Sequence, residues 1–392
     1  MNICILNSVH PASDTRVLRV ASTLAEYGHR VTVVSPSSSG VDDDLRVDKG
    51  SPRFVDVRKP KGVFRPGSGL LSTWKVLVSR LMVEASLFRQ GWRLRADVYH
   101  CNEVDSWFVG IALKLLLGKR VVFDAHEYYP SKLIDFLPWR WLRDPVEKLL
   151  VRFFMLCSRM TDGAIFVNRS LLEFYGFKCQ QTVVRNCIKR GDVDKVQVDR
   201  ALATRYQTKT LLVHIGRMRE IYGASVLLES MSMVEGVPNL LCLVVGGVDQ
   251  LEVFEKRARD FGVEQQIEIV DHIPFERLLQ YLRLADMGLI VVQPWRKSIV
   301  YSLARKFLEY IAFGLPVIAS DFPEMRHVVM EYDLGLLVDP EDPQDIAAAI
   351  TTLAKDADLR RRLGCNSQRA FVEEFNWELE QEQLLSLYNR WA

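Results

Sequence analysis

The chain has 392 residues, 48% of them hydrophobic and 26% charged, with a formal net charge of +2. That length is too great for one ordinary core and suits two domains of a soluble globular protein. Seven cysteines at 4, 101, 157, 179, 187, 242 and 365 are odd in number and scattered, with no Cys-x-x-Cys, which excludes a disulfide framework and a zinc ribbon and points to a reducing cytosol.

The net charge conceals a division. Residues 1–190 hold 29 Lys and Arg against 18 Asp and Glu, a surplus of +11, so residues 191–392 carry −9. A basic first half is expected to meet something anionic: a membrane surface, a lipid phosphate, an acidic glycan or a nucleic acid. The amino terminus, Met1-Asn-Ile-Cys-Ile-Leu-Asn7, lacks a basic leader and reads as a first strand. No apolar run approaches the roughly 18 residues that a membrane span requires.

In chain order, Ile3–Leu6 is strand-like, 17–27 has apolar residues at helical spacing with Gly28 as its cap, and Val31–Ser35 is the next strand. Residues 36–52 are rich in Ser, Gly and Asp and read as a loop, and 58–69 as a basic, turn-rich stretch. A helix is predicted over 74–95, strands over 97–100 and 121–124, a second basic helix over 139–160, and strands over 164–167 and 182–184. Residues 187–208 read as the linker. Strands at 211–215, 241–245, 267–270, 289–292 and 317–320 alternate with amphipathic helices, and 377–391 forms a terminal helix. Alternation of this kind means βαβ units and parallel sheets with both faces covered, hence an α/β class.

The most informative segment begins at Ser302. It reads Arg305-Lys306-Phe-Leu-Glu309-Tyr-Ile-Ala-Phe-Gly314-Leu-Pro316-Val-Ile-Ala-Ser320, with Gly335-Leu-Leu-Val-Asp339-Pro340 following. Ser302 is the expected N-cap, Gly314 the left-handed stop, and Pro316 opens a buried strand. Lys306 and Glu309, three apart, share one face. A helix start with an added cation suits a diphosphate, and a carboxylate one turn on suits paired sugar hydroxyls.

This segment resembles the donor-binding signature of retaining glycosyltransferases of the GT-B fold, glycosyltransferase family 4, in the branch with Lys-Leu-Phe-Glu-Tyr. The resemblance covers nearly the whole chain. It implies two Rossmann-like domains with parallel sheets facing a central cleft, residues 1–190 for the acceptor and 191–375 for the nucleotide sugar, with a terminal helix at 376–392 crossing back to the first. It also implies hexosyl transfer from a nucleotide sugar, uridine ahead of guanosine, to a glycan or lipid-linked acceptor. No metal or other cofactor is implied, since cationic side chains serve instead.

Residue by residue, the resemblance assigns catalytic roles to His126, Arg217, Lys306 and Glu309. Donor binding falls to Gly216, Arg217, Gly246, Gly247, Ile273, Lys306 and Glu309, with Val270–Ile273 reading the base through backbone groups. Arg16, Asn102, Glu103 and Glu127 are candidates for the acceptor side, Asp124 for orienting His126, and Asn186 for a structural turn. Two positions depart from the family: Tyr222 stands where a second cation precedes Gly223, and Tyr301 where a first glutamate would precede Glu309. The loop 9–13 lacks the glycines usual before the first helix, so it is not expected to wrap a phosphate.

The acidic runs Asp42–Asp44 and Asp192/Asp194 follow no buried strand and are not read as metal sites. The basic helices at 74–95 and 139–160 carry Trp74, Phe88, Trp92, Trp139 and Trp141 beside their arginines, a mixture that suits lipid headgroups as well as ordinary packing. No nucleic-acid motif accompanies the charge. A cytoplasmic protein, peripheral on the inner face of the membrane, follows from this reading. Two other readings share the fold: a nucleotide-sugar 2-epimerase, and a degenerate, non-catalytic binder of nucleotide or membrane marked by Tyr222 and Tyr301.

Overall fold

A computed structural model describes residues 1–8, 15–37, 51–58, 70–134, 137, 139–271 and 273–391. The loop 9–13, the acidic run 42–44 and the basic stretch 59–69 lie outside the described residues, as does the side chain of Trp74. The chain divides into two compact units, Met1–Val184 with Gln381–Ala392, and Arg185–Glu380.

The first unit carries strands β1 (Asn2–Asn7), β2 (Arg30–Ser37), β3 (Arg53–Arg58), β4 (Val98–Asn102), β5 (Arg120–Ala125), β6 (Gly163–Phe166) and β7 (Gln180–Val183). Its helices are α1 (Thr15–Glu26), α2 (Leu70–Leu94), α3 (Glu103–Leu117), α4 (Tyr129–Ile134), α5 (Arg140–Ser158) and α6 (Arg169–Tyr175). The strands form one parallel sheet in the order β3-β2-β1-β4-β5-β6-β7. The order reverses between β1 and β4, the place where such sheets open a crevice for ligands at their carboxyl ends.

Strand β3 was not expected from sequence. It is short, Phe54, Val55 and Asp56 are all only half-buried, and it follows a long polar stretch. Aromatic side chains fill the core of this unit. Trp107 stacks on Phe123 at 4.2 Å, meets Phe154 edge-on at 5.6 Å, and donates its Nε1–H to Thr161 Oγ1 at 2.9 Å.

The second unit carries β8 (Thr210–Ile215), β9 (Leu240–Val245), β10 (Ile267–Val270), β11 (Met287–Ile290), β12 (Val317–Ser320) and β13 (Gly335–Val338). They form a parallel sheet in the order β10-β9-β8-β11-β12-β13, reversing between β8 and β11. Helices α7 (Arg190–Asp194), α8 (Arg200–Tyr206), α9 (Ala224–Ser232), α10 (Leu251–Asp260), α11 (Phe275–Leu284) and α12 (Lys297–Val300) come before α13 (Arg305–Ala312). After it run α14 (Pro323–Tyr332), α15 (Pro343–Lys355) and α16 (Ala357–Glu373); the last helix, α17 (Trp377–Asn389), begins in this unit and from Gln381 onward belongs to the first. Side chains of β9 alternate between two cores: Leu241, Leu243 and Val245 join one, and Leu240, Cys242 and Val244 the other. Both faces of the sheet are therefore apolar, as the unbroken Leu240–Val245 run implies.

Residues 187–208, expected as a bare linker, hold α7 and α8 and supply Cys187, Ile188, Val193 and Tyr206 to the core. Gly335-Leu-Leu-Val338, noted only as a motif, is strand β13. Arg185 is tied into this unit by Glu374 and Glu380, each at 2.6 Å, and lies over the Phe375 ring at 4.7 Å. The cysteines are free: five are buried, Cys179 is half-buried with burial pushing its thiol up to about 11, and Cys365 on α16 is exposed.

Candidate active site

In the second unit, the carboxyl end of β8 turns sharply at Gly216. The Gly216 N–H donates to Val245 O at 2.7 Å, Met218 N–H to Gly247 O at 3.0 Å, and Asp249 N–H to Met218 O at 2.9 Å. These bonds stitch the turn after β8 to the turn after β9. Gly246, at φ +127°, lies so close that a Cβ would come within 2.8 Å of the Gly216 carbonyl carbon, so only glycine fits there. The Gly246 and Gly247 amides both donate to Val270 O, at 2.9 and 3.1 Å. That occupies both lone pairs of the Val270 carbonyl, so the expectation that this group reads a base is corrected. Ile273, just past β10, packs its side chain against the core.

Helix α13 delivers Lys306 to this turn. The helix is amphipathic and buries Phe307, Leu308, Tyr310 and Ile311. Its register on the sheet is set by Tyr310, whose hydroxyl donates toward Val213 O at 3.0 Å and accepts from Ile215 N–H at 3.1 Å. Gly288 of β11 makes room for the Tyr310 ring, since a Cβ there would sit 2.4 Å from it. At the far end, Gly314 N–H donates to Ile311 O and Leu315 N–H to Tyr310 O, both at 3.0 Å, the paired bonds of a Schellman stop. Ser302 is not the N-cap: that position is Ala304, and the Ser302 hydroxyl donates back to Ile299 O at 2.8 Å.

Lys306 Nζ lies 3.2 Å from His214 Nε2, 4.5 Å from the centroid of the Tyr222 ring, and 3.8 Å from where a Cβ on Gly216 would sit. No carboxylate lies within ion-pair distance of it among the described residues. Burial pushes the Lys306 ammonium down to about 7, against a smaller upward pull from Glu309. Burial, reinforced by Lys306, holds His214 well below the usual imidazole range, so it is neutral and adds no charge beside the lysine. Tyr222, the departure from the family pattern, thus supplies a ring face to Lys306 where a second cation would have repelled it.

Arg217 and Glu309 are less open than expected. Arg217 Nε is ion-paired with Asp249, whose other oxygen takes Arg219 Nε at 2.9 Å. Glu309 is buried and accepts from Arg305 Nε at 2.8 Å through Oε1, because residues four apart on a helix face each other. Its Oε2 makes no hydrogen bond among the described residues. Neither Asp249 nor Arg305 was singled out from sequence, and the pairing with Asp249 spans two loops that only the fold brings together.

In the first unit, Asn7, Asn102 and Asp124 stand side by side in register at the carboxyl ends of β1, β4 and β5. Both polar atoms of the Asn102 side chain are buried and have no hydrogen-bond partner among the described residues. Asp124 takes a bidentate fork from Arg16, Nε at 2.9 Å and Nη2 at 2.7 Å, while Arg16 Nη1 donates to Val184 O at 2.7 Å. Arg16 is only 2% exposed, so the expectation that it meets an anionic ligand is corrected: its guanidinium is spent inside the protein.

Burial alone would raise the Asp124 carboxyl, but Arg16 and then His126 hold it well below the usual range. His126 Nε2 lies 3.4 Å from Asp124 and its Nδ1 3.6 Å from Glu103. Burial works to lower the His126 imidazole, and the Asp124 carboxylate overrides it, leaving the group raised. Glu103 reaches His126 from a left-handed backbone, φ +71°, a conformation that costs a non-glycine residue about 1–3 kcal/mol. Glu127 is half-buried and paired with Lys132 at 2.9 Å. His100 touches Tyr388 Oη at 2.6 Å through Nδ1 and Asp124 at 3.4 Å through Nε2.

Two family profiles match the chain, Glycosyltransferase Family 4 over residues 13–189 and Glycosyl transferases group 1 over residues 197–370. The chain belongs to glycosyltransferase family 4. Over 186 residues this family 4 chain is 31% identical to a D-inositol 3-phosphate glycosyltransferase of Corynebacterium efficiens, covering 46% of this chain and 42% of the other. The chain spans about half the length of the curated relatives it matches first. Among solved structures, it resembles sucrose-phosphate synthase from Thermosynechococcus elongatus with a TM-score of 0.80 at 18% identity, covering 100% of this chain and 99% of that one. It resembles Anabaena HepE in complex with UDP and glucose with a TM-score of 0.74 at 14% identity, covering 100% of both chains. These likenesses establish the GT-B fold.

Proposed function

We propose that this family 4 glycosyltransferase moves a hexosyl group, with retention of anomeric configuration, from a nucleoside diphosphate sugar to a glycan or lipid-linked acceptor. The product belongs to a cell-surface polysaccharide or glycoconjugate, made in the cytoplasm. The observation that carries this reading is Lys306: a desolvated cation at the start of α13, facing a glycine turn at the switch point of the second sheet, with no carboxylate at ion-pair distance among the described residues. A group held this way gains most when an anion of high charge density arrives. A diphosphate fits, since Lys306 adds its ammonium to a helix start, whose partial positive charge favours anions.

In this reading Lys306 and Arg217 stabilise the departing diphosphate, with Arg217 exchanging or sharing its Asp249 partner. The free Oε2 of Glu309 accepts from the donor sugar. A phosphate oxygen of the donor takes the acceptor proton in a front-face displacement. The cations are the protein's own, with no resident metal or cofactor. His126, held by Asp124 and Glu103 at the carboxyl edge of the first sheet, is assigned to the sugar hydroxyls as donor. Uridine is placed ahead of guanosine; the fold neighbour HepE was solved with UDP and glucose.

A thermal-shift screen with UDP, GDP and ADP tests the assignment, because a ligand at 100 times its Kd raises stability by about 2.7 kcal/mol. UDP should raise the melting temperature most, and Lys306→Ala should abolish that rise. Removal of such a cation should also slow transfer by about 10²–10³-fold. No stabilisation by any nucleoside diphosphate would defeat the proposal, and conversion of the donor without any acceptor would favour the epimerase reading.

A further inference from the structure

Helix α5 presents a face that the core does not use. Trp141 is 75% exposed, Leu149 64% and Leu156 54%, with Phe153 and Met155 also open to solvent. Lys148, Arg152 and Arg159 are exposed on the same face, since 141, 145, 148, 149, 152, 153 and 156 recur at spacings of three and four. The opposite face is the buried one, with Glu147, Phe154, Cys157 and Ser158 turned inward. Phe153 continues onto Phe108 of α3, ring centroids 5.8 Å apart, so the apolar strip extends beyond one helix. None of Lys148, Arg152 and Arg159 has an ion-pair partner among the described residues. Helix α5 belongs to the half of the chain with a surplus of +11.

We propose that the outward face of α5 docks the protein on the anionic surface of a lipid bilayer, Trp141, Leu149, Phe153 and Leu156 entering the headgroup layer while Lys148, Arg152 and Arg159 engage lipid phosphates. The interleaving of cations with large apolar groups decides the occupant. A protein partner would bury that face in a dry core, where unpaired lysine and arginine are costly. A second copy of the chain would set like charges against one another. A headgroup layer satisfies both kinds of group at once: the apolar bodies reach the acyl boundary and the charged tips remain among phosphates and water. No described helix is long and apolar enough to cross a membrane, which agrees with a helix lying in the surface plane.

The test uses the full chain in vesicle co-sedimentation, with phosphatidylcholine alone and with about 30% phosphatidylglycerol. Binding should be strong only to the anionic vesicles and should weaken with added salt. Each neutralised cation should cost about fivefold in the partition coefficient, so Lys148→Gln/Arg152→Gln/Arg159→Gln should lose roughly 100-fold. Trp141→Ala should weaken binding without changing its salt dependence. A charge-matched control, Lys256→Gln/Arg259→Gln/Arg277→Gln in the second unit, should bind as the unmodified protein does. Circular dichroism confirms that each variant is folded. Equal recovery with neutral and anionic vesicles would overturn the proposal, as would an equal loss in the control variant. Lipid-free self-association abolished by Trp141→Ala would overturn it too, by assigning the face to a second copy.

Discussion

Lys306 makes the affinity for a nucleoside diphosphate depend on pH in a way that can be calculated. In the free protein its ammonium titrates at about 7. A bound diphosphate supplies the missing counter-charge and should return the group toward its ordinary value near 10.4. Binding therefore takes up a proton at any pH between the two values, and the apparent Kd rises as pH rises through that window. Between pH 7.0 and 8.5 the free protein's protonated fraction falls from about one half to about 3%, while the complex stays protonated. The Kd for UDP should then rise about 16-fold, equivalent to about 1.6 kcal/mol. This window lies above the last phosphate ionisation, near 6, and below the loss of the uracil ring proton. Isothermal titration calorimetry at pH 8.0, in two buffers of different ionisation enthalpy, should report about 0.9 proton taken up per UDP. Lys306→Arg, which stays protonated throughout, should bind with a flat pH profile, and Lys306→Met should be weak and flat. A flat profile with no proton uptake in the unmodified protein would refute the reasoning. The same linkage gives the sign for stability. The folded value lies below the unfolded one, so the unliganded protein should gain stability as pH rises from about 7 toward 10.

Further outcomes can be checked on the same protein. Arg185→Ala takes the guanidinium away from the buried Glu380 carboxylate and should cost about 3–5 kcal/mol in urea unfolding, whereas an exposed control such as Arg169→Ala should cost less than about 1 kcal/mol. Tyr310→Phe removes the hydroxyl that pins α13 to β8 and should cost about 1–3 kcal/mol of stability, with UDP affinity falling alongside it. By NMR, the His126 imidazole should titrate above 6.5, and Glu103→Gln should lower its value; a value below 6.5 in the unmodified protein would exclude Asp124 as the stronger influence.

Much of the fold was legible because the strands of parallel sheets are short apolar runs bounded by polar turns, and Leu240–Val245 or Val317–Ser320 admit little else. The start of α13 was less legible. Ser302 has the chemistry of a cap, but Tyr301 and Ser302 close α12, and the next helix begins only at Arg305. Strand β3 was missed because Arg53–Arg58 alternates weakly and pairs only with β2. At the site, Lys306 and Gly216 could be read because the segment pattern is local. The fate of Arg16 could not, since Asp124 lies 108 residues away and only the adjacency of α1 to β5 reveals the pair. Asp249 was invisible for the same reason: its two arginines belong to the neighbouring turn. Tyr222 looked like a loss of charge, yet beside a desolvated lysine a ring face is a better neighbour than a second cation.

The lone exposed thiol, Cys365, has a practical consequence. Maleimide chemistry should reach it before any other cysteine in the native protein, so one fluorophore can be placed on α16 without engineering. Gly364, the residue before it, stands against Gly314 just past the end of α13. A dye there would report on movement of the helix that carries Lys306 from its opposite end, without obstructing the ammonium itself.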